Sequence, residues 1–313
     1  MPRGFFTQSV AVLLARLPSM DEVLAALGSF DVRGHRTERP PTTWLGGFPE
    51  AIVGYRPERN GLVTVEIVDR RWPDAMGDPR SDPELFGAWS LGAFGPCAFP
   101  GNLARAARRS SPERSSAQRA AEEHRALLRL RSSWVLGAGE GAPWRPREES
   151  PRGELAFLTD LARALSDLDE AMAFFNPGGE VLLEPDRLDQ RLQRAKTLGQ
   201  PAVDTFVNVR MTNIGDAPGW ALMDTIGMAQ LELPDHELVF RPDRLDPVAV
   251  ADCLMDLARS TLQRGEPNAT APSVDGPEGP WRCCGITEQP RMPAPRRTLR
   301  WLPEGEEPPE WLR

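Results

Sequence analysis

Lysine is almost missing from this sequence of 313 residues. Lys196 is the only one, so nearly all positive charge is arginine. Schiff-base or P-loop chemistry would have to rest on Lys196, which falls in an ordinary helical stretch. Histidine is nearly as scarce, with His35, His124 and His236 alone, and no HExxH or similar local pair seeds a zinc site. The four cysteines, Cys97, Cys253, Cys283 and Cys284, form no CxxC pair and no disulfide framework. Vicinal Cys283 and Cys284 read as chance neighbours in a loop. No window approaches the roughly 20 apolar residues of a membrane span. The apolar run at 10–15 is shorter than a signal-peptide core and is broken by Arg16. It reads as a buried first strand of a cytoplasmic protein. GxxxxGK[ST] and strand-borne GxGxxG are both absent. In the segment from Gly87 to Gly92 the serine, Ser90, comes one residue late for GxSxG.

What is present describes a folded chain. It is 40% hydrophobic and 26% charged, with a net charge of −8 and a pI near 5.2. That balance argues against general nucleic-acid binding and suits a partner with a basic surface. Arg105, Arg108, Arg109, Arg114, Arg119, Arg125, Arg129 and Arg131 make one segment locally basic. Without interleaved aromatics at 105–119 it reads as a solvated face paired with nearby acids. No nucleic acid, membrane, metal or other cofactor is expected.

Periodicity predicts an α+β fold: a mixed, mainly antiparallel sheet with helices packed against it, as two similar lobes or one large domain. Ser19 and Glu22 form a capping box that opens a helix. Asn60-Gly61 predicts a tight turn with positive φ between strands 51–55 and 62–68. Residues 72–101 hold Trp72, Phe86, Trp89, Phe94 and Phe99 with no regular period, which reads as an ordered loop laid on a sheet. The alternation at 124–136 puts Ala126, Leu128 and Leu130 inward and Arg125, Arg129 and Arg131 outward. Helices are expected at 154–168, from Pro185 to Gly199, and from Asp246-Pro247 to Gly265. Strand 204–211 comes before the central stretch, and Thr298–Leu302 reads as an edge strand. These elements divide the chain into an N-terminal lobe at 1–110, a C-terminal lobe at 111–302 and an acidic tail at 303–313. Strand–helix–strand order occurs in both halves, which suggests a topological pseudo-repeat.

The stretch from Trp220 to Arg241 is apolar on both alternating faces, which places it centrally in a sheet. Asp224 interrupts it, and Pro234-Asp235-His236-Glu237 reads as a closing polar turn. Asp224, Asp235, His236 and Glu237, joined by His124, are the candidates for a general base or a metal-dependent hydrolase, because burial raises a carboxylate's pKa. The competing reading makes them hydrogen-bond organisers, and it is the one favoured. Asp74, Asp78, Asp82 and Glu84 lack the spacing of a calcium loop and read as turns and caps.

Taken together, Trp72-Pro73-Asp74-x-Met76-Gly77-Asp78-Pro79, Phe86-Gly87-Ala88-Trp89, FFNPGGEVL at 174–182 and MDTIGMAQLELPDHE at 223–237 resemble the bacterial domain-of-unknown-function 4261 family. The similarity spans roughly residues 8–302. It implies an accessory or immunity role beside a bacterial toxin or a type VI secretion effector, and it carries over no catalytic residue. The expectation is therefore a non-enzymatic protein-binding module. Its contact residues would be Trp72, Asp74, Asp78, Asp82, Phe86 and Trp89, with a metal-dependent or acid/base hydrolase as the alternative.

Overall fold

The computed structural model describes residues 5–37, 43–109, 116–265, 273–288, 290–292 and 295–308. Among these are seven α-helices and two mostly antiparallel sheets, an α+β fold. The chain divides into two compact units, residues 1–198 and 199–313. No helix among the described residues is long and apolar enough to cross a membrane.

The first unit is one seven-stranded antiparallel sheet in the order β2-β3-β4-β5-β1-β6-β7. Its strands are β1 (Gln8–Leu14), β2 (Val32–Arg36), β3 (Glu50–Arg56), β4 (Gly61–Val68), β5 (Ala126–Ser133), β6 (Ala171–Asn176) and β7 (Val181–Leu183). The expected boundary near residue 110 does not hold, because β1 pairs with β5 on one side and β6 on the other. Strands from both expected lobes are therefore hydrogen-bonded neighbours in a single sheet. The apparent pseudo-repeat is this one sheet read as two halves.

Local signals are well obeyed. Ser19 and Glu22 close their capping box at the head of α1 (Met20–Ala26). Asp82 caps α2 (Pro83–Ser90), and α3 (Asn102–Arg109) and α4 (Ser116–Glu123) follow, residues 110–115 between them lying outside the described residues. The turn between β3 and β4 is longer than expected, a single 3-10 turn over Pro57–Arg59 with only Asn60 left-handed, at φ 63°. Gly61 is needed for a different reason. A Cβ there would lie 2.6 Å from the Trp134 ring, so its missing side chain makes room for the indole.

One face of this sheet packs α5 (Pro151–Leu165), whose Leu155, Leu158, Leu161 and Leu165 are all fully buried. Over the other face lie segments 43–48 and 72–101. Trp72 meets Phe94 and Phe175 edge-on at 5.3 and 5.0 Å, and Trp89 lies 4.3 Å from Phe94. The aromatic loop is laid on the sheet as its composition requires. It also covers the face expected to be solvated, so Arg129 and Arg131 are buried, which corrects their outward assignment.

The second unit follows α6 (Pro185–Thr197). It is a six-stranded sheet in the order β11-β12-β13-β10-β9-β8. Its strands are β8 (Asn208–Asn213), β9 (Ala221–Ile226), β10 (Asp235–Phe240), β11 (Ser273–Gly276), β12 (Gly279–Thr287) and β13 (Thr298–Pro303). Helix α7 (Pro247–Arg264) packs Val250 and Leu254 against Met223, Leu238, Phe240 and Trp281. Asp246 caps it, with Pro247 at its first position. Two expectations fail here. Asp235, His236 and Glu237 are fully buried strand residues that open β10, not a turn. Thr298–Leu302 lies in an interior strand, because 273–287 supplies a hairpin that pairs outside it. That hairpin has few apolar residues, so periodicity missed it. Of the acidic tail, Glu306 pairs with Arg244 at 2.7 Å, and 309–313 lie outside the described residues.

Candidate functional site

Alternation along a strand sends Asp224 on β9 and both Asp235 and Glu237 on β10 to one face of the second sheet. Register aligns four charges across four strands. Arg210 on β8 faces Asp224, Asp224 faces Glu237, and Glu237 faces Arg300 on β13. Arg210 grips Asp224 with two bonds, Nε to Oδ1 at 2.8 Å and Nη2 to Oδ2 at 2.6 Å. Arg296, from the segment preceding β13, also donates to Asp224 and reaches Asp235 with Nε at 3.1 Å. Asp235 further accepts from Thr225 Oγ1 at 2.9 Å and the Met228 amide at 3.2 Å. Glu237 accepts from Arg300 at 2.8 Å and the Arg291 amide at 3.0 Å. Burial pushes the Asp235 carboxyl up to about 6, against the pull of Arg296, and Asp224 adds to the rise.

His236 points to the opposite face, toward α7. Its Nδ1 accepts the Trp301 indole N–H at 3.1 Å, so Nε2 carries the proton and faces Thr261 Oγ1 at 3.0 Å. Burial lowers this imidazole to about 3, and it stays neutral through the physiological range. The three carboxylates are therefore gathered, but His236 is not with them. All four side chains are fully buried and bonded within the protein. Such a group orders strands; a general base needs access to substrate.

His124 belongs to the first unit. Its Nε2 accepts the Trp72 amide at 2.9 Å and its Nδ1 faces the Ala120 carbonyl at 2.9 Å, which again fixes a neutral tautomer. Desolvation lowers its pKa. Among the described residues no group of three or more His, Cys, Asp or Glu side chains is placed to hold a metal ion.

The expected contact residues divide into two sets. Trp72 and Trp89 are core, their indole N–H groups donating to Asn102 Oδ1 at 3.0 Å and the Ala75 carbonyl at 2.9 Å. Asp74 caps α3 by accepting the Leu103 and Ala104 amides at 3.0 and 2.8 Å. Asp78 holds a turn through the Arg80 and Ser81 amides, and Asp82 accepts the Leu85 amide. Asp78 and Asp82 remain exposed, and Phe86 is half-buried. Those three are displayed by a segment whose tryptophans anchor it.

Sequence reasoning missed the buried cluster of the first unit. Glu66 faces Arg129 directly across β4 and β5. Arg129 binds both of its oxygens, at 2.8 and 3.1 Å, and gives Nη1 to the Trp44 carbonyl at 2.7 Å. Arg131 shares the same carboxylate at 2.7 Å. Burial would raise Glu66, but the two guanidinium groups outweigh it and hold the carboxylate below its usual range. Burial and the Arg129 charge lower Arg131 to about 9. The signal was present: five aromatics in one loop need a sheet face to cover, and the face they cover carries these charges.

Comparison with protein-family models, with curated proteins and with solved structures gave no match for this chain.

Proposed function

We propose that this chain is a non-enzymatic protein-binding module whose contact surface is drawn from segment 72–101. The observation that carries this reading is a contrast. The candidate catalytic carboxylates and both histidines are saturated by partners inside the fold. Asp78, Asp82 and Phe86 instead stand on a turn and on the start of α2, in a segment pre-ordered by buried tryptophans. A pre-ordered loop loses little entropy on binding, and exposed carboxylates steer a basic partner. The motif resemblance, which rests on the residues quoted above, suggests what that partner is: a bacterial toxin or type VI secretion effector met in the cytoplasm.

Affinity capture from the native host, followed by binding kinetics on the purified pair, tests the reading. The paired variant Asp78→Asn and Asp82→Asn keeps an oxygen to accept the turn and cap amides while removing two charges. The association rate should fall several-fold at low salt and converge with the parent at high salt. A captured partner whose kinetics ignore both substitutions would move the interface elsewhere.

A further inference from the structure

Beside the Glu66 cluster, in the first unit, lies a half-open pocket of about 640 Å³. Its walls include Phe5, Phe6, Leu45, Leu91 and Trp144, and Arg131 forms part of its lining. Three observations meet here. The volume is in the range of sites that enclose a small organic molecule. Of the eight large hydrophobic side chains exposed among the described residues, three line this one cavity: Phe5, Leu45 and Leu91. The third concerns charge. Arg129 and Arg131 share the single carboxylate of Glu66, and Glu50 on the neighbouring strand offsets only part of the second charge because it is also paired with Arg36. Glu50, across from Glu66 on β3, is turned to Arg36 at 3.1 Å. Arg131 is 2% exposed, and its Nε has no hydrogen-bond partner.

We infer that this cavity binds a small apolar monocarboxylate, its hydrocarbon body against the phenylalanine, leucine and tryptophan walls and its carboxylate directed at Arg131. A monoanion matches the one guanidinium in the lining, whereas a phosphate dianion would need more donors than the lining offers. A buried N–H left unbonded costs free energy that an anionic oxygen would recover. The Phe6 ring lies on the guanidinium, 3.6 Å from its centroid to Cζ, and must turn aside for the ligand's head to reach Nε. Glu140 also lines the pocket and repels any anionic group near it, so the ligand carries only the one carboxylate that Arg131 attracts. This inference goes beyond the binding-module reading and does not depend on it.

The test is titration calorimetry of the full chain with decanoate, with decan-1-ol as its uncharged counterpart and 1-naphthoate as competitor. Decanoate should bind one to one, at least tenfold more tightly than decan-1-ol, and 1-naphthoate should displace it. Leu91→Glu, at an exposed position, should weaken decanoate at least tenfold with the melting temperature unchanged. No saturable binding of either carboxylate, equal affinity for the alcohol, or indifference to Leu91→Glu would each overturn the inference. The variant Asp78→Asn with Asp82→Asn leaves the cavity walls intact and should bind decanoate normally. Failure of this inference and failure of the binding-module reading are thereby separable.

Discussion

Replacing Glu66 by Gln removes the one carboxylate that two buried arginines share. Arg129 is fully buried and Arg131 is 2% exposed, so water cannot take over. With charge centres about 4 Å apart, each pair is worth about 4 kcal/mol gross at an effective dielectric constant near 20. Repulsion between the two guanidinium groups and the cost of their desolvation reduce this. Breaking a buried pair by removing one partner costs about 3–5 kcal/mol, a large part of a domain's stability. Hydrogen exchange read on peptides covering β4 and β5 reports this unit without assuming that the whole chain unfolds in one step. Their protection should fall by roughly two to three and a half orders of magnitude, at about 1.4 kcal/mol per decade. The triple replacement Glu66→Leu, Arg129→Met and Arg131→Met removes all three charges together and should recover most of the loss. Protection unchanged within about tenfold in Glu66→Gln would refute the claim that these arginines depend on Glu66.

Other predictions concern both units. In the second, His236 has its folded pKa depressed, from 6.5 to about 3. Its stabilising contribution is complete above pH 6.5 and is lost as pH falls toward 3. Asp235 has its folded pKa raised, from 3.8 to about 6. Its contribution is complete below pH 3.8 and is lost as pH rises through 6. Between about pH 4 and 6 the two slopes oppose, each by up to about 1.4 kcal/mol per pH unit. Urea unfolding followed by fluorine NMR at a 5-fluorotryptophan in position 301 should therefore be nearly flat in that window. In His236→Gln the midpoint should rise on acidification, and a fall would show that Asp235 does not titrate there. In the first unit, Gly61→Ala drives a methyl group into Trp134, whose indole N–H is fixed on Glu154 at 2.9 Å. It should destabilise by about 1–3 kcal/mol, read as a lowered melting temperature, whereas a neutral result would mean that the ring has room to move. His124→Ala removes the acceptor of the buried Trp72 amide and should cost about 1–3 kcal/mol. Exchange at the Trp72 amide reads it directly, and retained protection would count against the assigned bond.

The two units differ in how much of them could be read from sequence. The capping box at Ser19 and Glu22, the Asp246-Pro247 start of α7 and the apolar stripe of α5 involve residues within a few turns of one another. Helix signals of that kind are local and hold wherever the helix packs. Segment 273–287 shows the opposite: its strands carry little alternation, and pairing of β12 with β13 and of β11 with β12 makes them strands. Asp224, Asp235 and Glu237 stood out as carboxylates in an apolar stretch, and that much was legible. Their arginines were not, because Arg296 lies 72 residues from Asp224.

By itself the sequence determined the α+β class, most helix starts and the need of segment 72–101 for a sheet to lie on. Tertiary structure alone decided where the unit boundary falls, that Arg129 and Arg131 point into the fold, and that His236 and Asp224 occupy opposite faces. The physical reason is separation along the chain. A cap or a helical stripe is specified by neighbours, whereas Glu66 becomes the partner of Arg129 only when β4 and β5, 63 residues apart, pair in register. Alternation tells which residues share a face of a strand; whether that face meets water or an aromatic loop is settled by what folds over it.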